Sequence, residues 1–252
     1  MRDRFRLTYR VGIVGLHGYG KTTGADMLAT ELAKYGPGLI VKRNDMAKAL
    51  RSRLERSLPQ PLNPMEKVHP LERNALQFTG EMWRNVDRNT WLMHALEDRP
   101  EVPHRDEPSA TVQVFSDVYH FNEMFAMDHL VLLVPKDPNW IKEYAVGKYI
   151  DDEPSTSLPL SIYETACALR WYKALLYFMP YDSVYYRFVD GPQDFANEGD
   201  MKHLSSTLIE EVNSRLKKLG RSDQLLSYQG GSNVSVGSDL NPVSISGGST
   251  NS

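Results

Sequence analysis

Five short apolar runs punctuate the chain, with helical patterns between them. Val11–Val14, Leu39–Val41, Thr111–Phe115 and Leu130–Val134 are aliphatic or β-branched, and Ser183–Val189 alternates polar with apolar positions. Runs of this length and composition predict strands. The all-apolar fourth run, closed by Pro135, predicts a strand covered on both faces. After the first strand, Ala25, Met27, Leu28, Leu32 and Ala33 recur at helical spacing until Tyr35-Gly36-Pro37-Gly38 stops them. Met46, Ala47, Leu50 and Leu54 mark a second helix. Leu71 to Ala95 marks a third, with Leu71, Ala75, Leu76, Trp83, Trp91 and Leu92 as its buried positions and an interruption near Gly80. Ile162 to Phe178 predicts a helix rich in Ala, Leu, Trp and Tyr. Met201 to Leu219 predicts a closing helix on Leu204, Leu208, Ile209, Val212 and Leu216. Strands alternating with helices predict an α/β fold, three layers deep, with a central, mostly parallel sheet.

The segments between these patterns divide the chain. Residues 1–10 read as an N-terminal lead, 11–220 as one domain, and 221–252 as a tail of Ser, Gly and Asn that buries too little apolar surface to order itself from about Ser222 onward. Pro59 to Pro70 and Arg99 to Ser109 read as loops. Residues 137–159 mix Asp, Glu, Ser and Pro with Lys142 and Lys148, which suits a lid that closes over a phosphate site to exclude water.

The chemistry begins where the first strand ends. Gly15-x-x-x-x-Gly20-Lys21-Thr22 is a complete phosphate-loop pattern, and it lies between a predicted strand and a predicted helix, the context the pattern requires. Glycines let several backbone N–H groups converge on one anion, and the helix behind them adds the positive end of its dipole. The fold this implies is that of a phosphate-loop NTPase. Gly15, His17, Gly18, Tyr19, Gly20, Lys21, Thr22 and Thr23 are its candidate ATP-binding residues. Lys21 would reach the β and γ phosphates, and the Thr22 hydroxyl would ligate Mg²⁺.

Candidate residues at the other strand ends follow from topology, because open α/β sheets gather ligands at the carboxyl ends of their strands. Lys42-Arg43-Asn44-Asp45 follows the second strand, so Arg43 and Asp45 stand where a second substrate would bind; an Asp there also serves as a helix N-cap. Ser116-Asp117 ends the third strand, where such enzymes hold magnesium directly or through water, and where an Asp also caps a turn. Arg73, Gln77, Arg84 and Arg88 are the notable polar members of the third helix. Arg170 and Lys173 are phosphate candidates on the Ile162 to Phe178 helix, where charges otherwise mark a rim.

Composition narrows the setting. The chain has 252 residues with 29 basic and 32 acidic side chains, a net charge of -3, which disfavours a general nucleic-acid coat or a membrane-surface role. Its single cysteine, Cys167, excludes an internal disulfide. The opening Met-Arg-Asp-Arg-Phe-Arg has no apolar signal-peptide core, and no apolar run reaches membrane-spanning length, so a cytoplasmic protein is expected, in the host cytoplasm if phage-encoded. The oligomeric state stays open, a homodimer included.

From Val11 to Leu219 the chain resembles the deoxynucleoside monophosphate kinases of tailed bacteriophages. The similarity is carried by Gly15 to Thr23 with Ala25-Asp26 behind it, by Asn44-Asp45-Met46-Ala47-Lys48-Ala49-Leu50, by Arg73 to Arg84 with Trp91 after it, and by Ser116-Asp117-Val118-Tyr119-His120-Phe121-Asn122-Glu123. The last segment departs from the family pattern: Tyr119 and His120 stand where an arginine is expected, and neither is a fixed positive fork for a phosphate. The interval from Gly80 to Trp91 is also one residue short.

The resemblance implies the nucleoside monophosphate kinase type of the phosphate-loop fold, and ATP-dependent phosphorylation of a deoxynucleoside monophosphate to the diphosphate. Its roles fall on Lys21, Asp117 and Asp45 as catalytic residues, on Thr22 and Asp117 for magnesium, and on Arg43, Asp45, Arg73, Gln77, Trp83, Arg84, Asn122 and Glu123 for the acceptor. Two alternatives remain open. One is a kinase acting on a hydroxymethylated base within phage DNA, with Asp45 as general base; the other is a non-catalytic nucleotide-binding switch.

Overall fold

The computed structural model describes residues 7–15, 19–46, 48–56, 70–97, 110–116, 118, 120–136, 184–189, 195 and 197–229. The proposed lid at 137–159 and the Ile162 to Phe178 helix lie outside them.

All five predicted strands are present: β1 (Leu7–Val14), β2 (Leu39–Asn44), β3 (Ala110–Phe115), β4 (His129–Pro135) and β5 (Val184–Val189). They form one sheet in the order β2-β3-β1-β4-β5, parallel at every pairing. β1 extends four residues further back than its apolar run, because Leu7 to Arg10 pair with Ala110 to Gln113. Those four therefore belong to the strand rather than to the lead. Every residue of β3 is buried, as expected of an interior parallel strand with both faces covered.

Helices lie on both sides of the sheet: α1 (Lys21–Ala33), α2 (Lys48–Glu55), α3 (Pro70–Val86), α4 (Thr90–Glu97), α5 (Phe121–Phe125) and α6 (Glu198–Lys218). α1 and α6 pack on each other and bury Leu28, Leu32, Leu204, Leu208, Val212 and Leu216 in the main core with β1, β3 and β4. α2, α3 and α4 hold a second, smaller core of Leu50, Leu54, Leu76 and Trp91, with Trp83 at its edge. The predicted interruption at Gly80 does not occur. α3 runs through Gly80, the break falls at Asp87–Asn89, and the Trp91 indole N–H donates to the Gly80 carbonyl at 3.1 Å.

The tail orders further than its composition predicts. Ser222–Gln224 form a 3₁₀ turn, Leu226 is buried, and the Tyr228 ring meets Tyr35 edge-on at 5.5 Å. Gln229 donates its backbone N–H to the Lys34 carbonyl, and its side chain crosses Gly36, where φ is 90° and a Cβ would sit 2.5 Å from the Gln229 amide carbon. Asn213 of α6 holds the strap by both amide atoms, donating to the Leu226 carbonyl at 2.9 Å and accepting from its N–H at 2.8 Å. Asn213→Ala leaves both groups of a buried residue unpaired, at a cost of about 2 kcal/mol. A melting temperature lower by roughly 4–8 °C is expected in a thermal melt followed by circular dichroism.

A polar network ties α6 to the early part of the sheet. The buried Tyr9 hydroxyl donates to Glu211, His129 Nδ1 lies 3.3 Å from the same carboxylate, and Arg215 bonds Asp128 at 2.6 Å while its guanidinium covers the Tyr9 ring. Burial, then the Glu211 hydrogen bond and charge, push the Tyr9 phenol far above its ordinary 10.0. Burial alone would raise Glu211, but the nearby His129 ring and the Tyr9 hydroxyl outweigh it and hold the carboxyl low. The phenol's stabilisation is thus complete below pH ~10 and lost as pH rises; the carboxylate's is present above pH ~4.3 and lost on acidification. Melting temperature against pH should fall at both ends, and Tyr9→Phe should flatten the alkaline limb and, through the lost hydrogen bond to Glu211, soften the acid limb as well. An unchanged alkaline limb would show that Tyr9 does not carry it.

Candidate functional site

The sheet order places the carboxyl ends of β2, β3 and β1 side by side. Asn44 and Gly12 both stand level with Phe115 of β3, and Ser116 donates its N–H to the Asn44 carbonyl at 3.4 Å. The chain therefore leaves all three strands at one edge, on either side of the point where connections turn from one half of the sheet to the other. That edge is where α/β sheets bind ligands.

At the centre of this edge stands the start of α1. Gly20 is the residue before the helix, with φ 73° and ψ 18°, a left-handed conformation that glycine adopts without strain. It supplies no side-chain cap, and the first turn of α1 carries no acidic residue. The N–H groups of that turn and the positive end of the helix dipole thus face outward with no carboxylate of their own turn to neutralise them. Lys21 opens the helix and is 5% exposed, Tyr19 and Gly15 are buried, and Thr22 and Thr23 are exposed. This donor set fits a phosphate tail. His17 and Gly18 lie outside the described residues, as does Asp117, which follows the buried Ser116.

The proposed acceptor residues divide into separate environments. Arg43 Nε stands 2.9 Å from Asp26 Oδ1 of α1, a charge contact without a well-directed N–H. Asp45 sits at the turn into α2, where its carbonyl accepts from the Lys48 N–H at 3.2 Å. Trp83 packs at the edge of the second core with the Arg53 guanidinium 4.7 Å above its ring, so one stacking face is taken. The side chains of Arg73 and Gln77 lie outside the described set.

Arg84, Asn122 and Glu123 do come together, where α3 meets α5. Arg84 bonds Glu81 at 2.8 Å and reaches Glu123 at 3.5 Å. Glu123 is 2% exposed; its second oxygen accepts the His120 N–H at 3.1 Å and so caps α5. Asn122 donates to the Arg88 carbonyl at 2.7 Å and to Asn89 Oδ1 at 3.0 Å, fastening α5 to the turn after α3. His120 Nε2 lies 3.8 Å from Glu81. Burial holds its imidazole below the ordinary range; Arg84 pushes the same way, while Glu123 and Glu81 oppose. With His120 neutral, one arginine faces two carboxylates.

Glu81 was not among the candidates from the sequence. Its signal was present as an acidic residue three positions before Arg84 on one helix face. The pair matters because it lowers the local charge that Arg84 offers to an anion. Glu81→Gln removes one like charge from any phosphate gripped there, and tighter binding of a phosphate group, by up to about 5-fold, is expected in a titration with inorganic phosphate. Unchanged binding would leave Arg84 as a tie between helices only.

Comparison with protein-family models and with curated protein sequences returned no match. Among the described residues, no helix is long and apolar enough to cross a membrane.

Proposed function

We propose that this protein is an ATP-dependent kinase of the phosphate-loop type that phosphorylates deoxynucleoside monophosphates to diphosphates. One observation carries the reading: the Gly15 to Thr22 pattern lies between a central parallel strand and its helix, with Gly20 left-handed and Lys21 buried at the helix start. The reaction asks the protein for position and charge, because two anions must approach in line and be neutralised.

In this mechanism the α1 amides and Lys21 hold the triphosphate tail of the donor. Thr22 and Asp117 would hold Mg²⁺, which supplies charge neutralisation on the donor phosphates when bound. Asp45 and Arg43, at the end of β2, and Arg84, on α3, border the acceptor side. The acceptor phosphate is already an anionic nucleophile and needs no general base. The Arg43–Asp26 contact links the acceptor side to the donor helix, so arrival of a phosphate there competes with Asp26 for the arginine.

The carboxylates around Arg84 favour keeping one second reading: an acceptor hydroxyl on a modified base in DNA, with Asp45 as general base, makes no demand for a second phosphate grip. Incubation with γ-labelled ATP and Mg²⁺, with mononucleotides in one arm and hydroxymethylated DNA in the other, separates the readings by which acceptor takes the label.

A further inference from the structure

β3 lies between β2 and β1, and the two faces of this half of the sheet differ in chemistry. Tyr9 reaches Glu211 of α6 and Arg43 reaches Asp26 of α1, so the face that carries them is the one those helices cover. Strand alternation turns Arg10, Lys42 and Gln113 to the other face. The register sets all three on one level, with Arg10 and Lys42 on either side of Gln113. Thr111 lies two residues back along β3, on the same face. Interior parallel strands are ordinarily apolar on both faces, so a polar row across three of them calls for a cause.

The row is not satisfied by its neighbours. Gln113 is 5% exposed and Thr111 2%; Gln113 Oε1, Thr111 Oγ1 and Arg10 Nε are enclosed with no hydrogen-bond partner among the described residues. Asp128 accepts the Arg10 backbone N–H at 2.8 Å and bonds Arg215 at 2.6 Å, so that carboxylate is already engaged. β2 is an edge strand, half-buried from Ile40 to Arg43, which leaves the row open on the Lys42 side. Buried polar atoms in folded proteins are paired with protein, water or an ion. Water would pair the Gln113 amide and the Thr111 hydroxyl, but it adds no counter-charge for the guanidinium beside them.

We propose that this row is a binding site for a phosphate group, separate from the phosphate loop. Arg10 offers a planar fork of N–H donors, Lys42 a charge from the opposite side, and the Gln113 amide and Thr111 hydroxyl donate from the floor. The Cα atoms of Arg10 and Lys42 stand two strand spacings apart, about 10 Å, so both long side chains reach a group seated over Gln113. Two cations over neutral donors match a dianion better than a single carboxylate. Arg10 precedes Gly15 by about 16 Å of extended chain and faces away from α1, so one phosphate does not serve both places. The site does not depend on the reaction proposed above.

The test is calorimetric titration of the full chain with inorganic phosphate, with Mg·ATP at saturation so that the phosphate loop is occupied. A dissociation constant of about 1 mM is expected, the value that two charge-assisted contacts support. Arg10→Met, which keeps the stem, and Gln113→Leu, which keeps the shape, should each weaken binding about tenfold. Arg84→Met, on the acceptor side, should leave this event in place, and circular dichroism should show the parent fold in all three variants. Gln113→Leu removes an unpartnered buried amide, so it should melt no lower than the parent, and it reads the site if Arg10→Met fails to fold. No binding at about 10 mM phosphate overturns the proposal, as does binding that neither Arg10→Met nor Gln113→Leu weakens, or that Arg84→Met abolishes. If ATP does not bind at all, the kinase reading fails, and the titration without ATP still decides this proposal through the same two variants.

Discussion

Lys21→Ala is expected to lower phosphoryl transfer by about 10³-fold while the chain stays folded. The side chain opens α1 beside the left-handed Gly20, in a turn with no acidic residue, so its charge adds to that of the amides on the same anion. An ammonium held in a buried place acts in a lower effective dielectric than water, and its loss is correspondingly costly. Because Lys21 is buried, truncation also removes packing; Lys21→Met keeps the stem and removes the charge alone. Both variants should lose transfer, with the far-ultraviolet dichroism of the parent. A folded Lys21→Met enzyme with more than a tenth of the parent rate would show that the charge is not what the site needs.

Trp91→Ala is expected to act on the opposite side of the reaction. Trp91 is 1% exposed, anchors the second core against Leu50, Leu54 and Leu76, and ties α4 to α3 through the Gly80 carbonyl. Removing a buried Trp costs about 3–5 kcal/mol, and the core it leaves is small. The α2–α4 unit has its own core and should loosen before the sheet does, as separately cored units open locally. The variant should then show a higher KM for the mononucleotide with little change in the dissociation constant for ATP, read by steady-state kinetics and by nucleotide titration. An equal loss on both sides would mean that the unit and the sheet melt together.

The strands were legible because interior parallel strands must be apolar on both faces, and Val11–Val14, Thr111–Phe115 and Leu130–Val134 have that composition. Leu7 to Arg10 were not: a Leu-Thr-Tyr-Arg run fits a strand only once Ala110 to Gln113 are known to lie beside it. The ordered strap at Ser222–Gln229 was hidden for a similar reason. Its composition is polar, and its order comes from Asn213 and Tyr35, far away in sequence. Gly80 misled because glycine is a poor helix former in isolation, whereas here α2 packs closely against it and Leu50 leaves little room for a side chain.

The strand, turn and helix around Gly20 and Lys21 were legible in one motif, since a phosphate loop encodes all three within a dozen residues. The contacts of the proposed acceptor residues were not legible, because they depend on which helices meet. Nothing in the spacing of Arg84 and Glu123 told that α5 would bring a buried carboxylate to the arginine, or that Arg53 would cover Trp83. The polar row of Arg10, Lys42 and Gln113 was equally hidden, because it exists only once β1 and β2 are known to flank β3 in this register.

The central claim is transfer between two nucleotides across the carboxyl edge of the sheet. It is tested most directly by offering γ-labelled ATP and Mg²⁺ to the full chain with a panel of deoxynucleoside and nucleoside monophosphates and separating the products. Label in the diphosphate of at least one deoxynucleoside monophosphate, abolished by Lys21→Met, is the result expected. Tight ATP binding with no label passed to any monophosphate would contradict it.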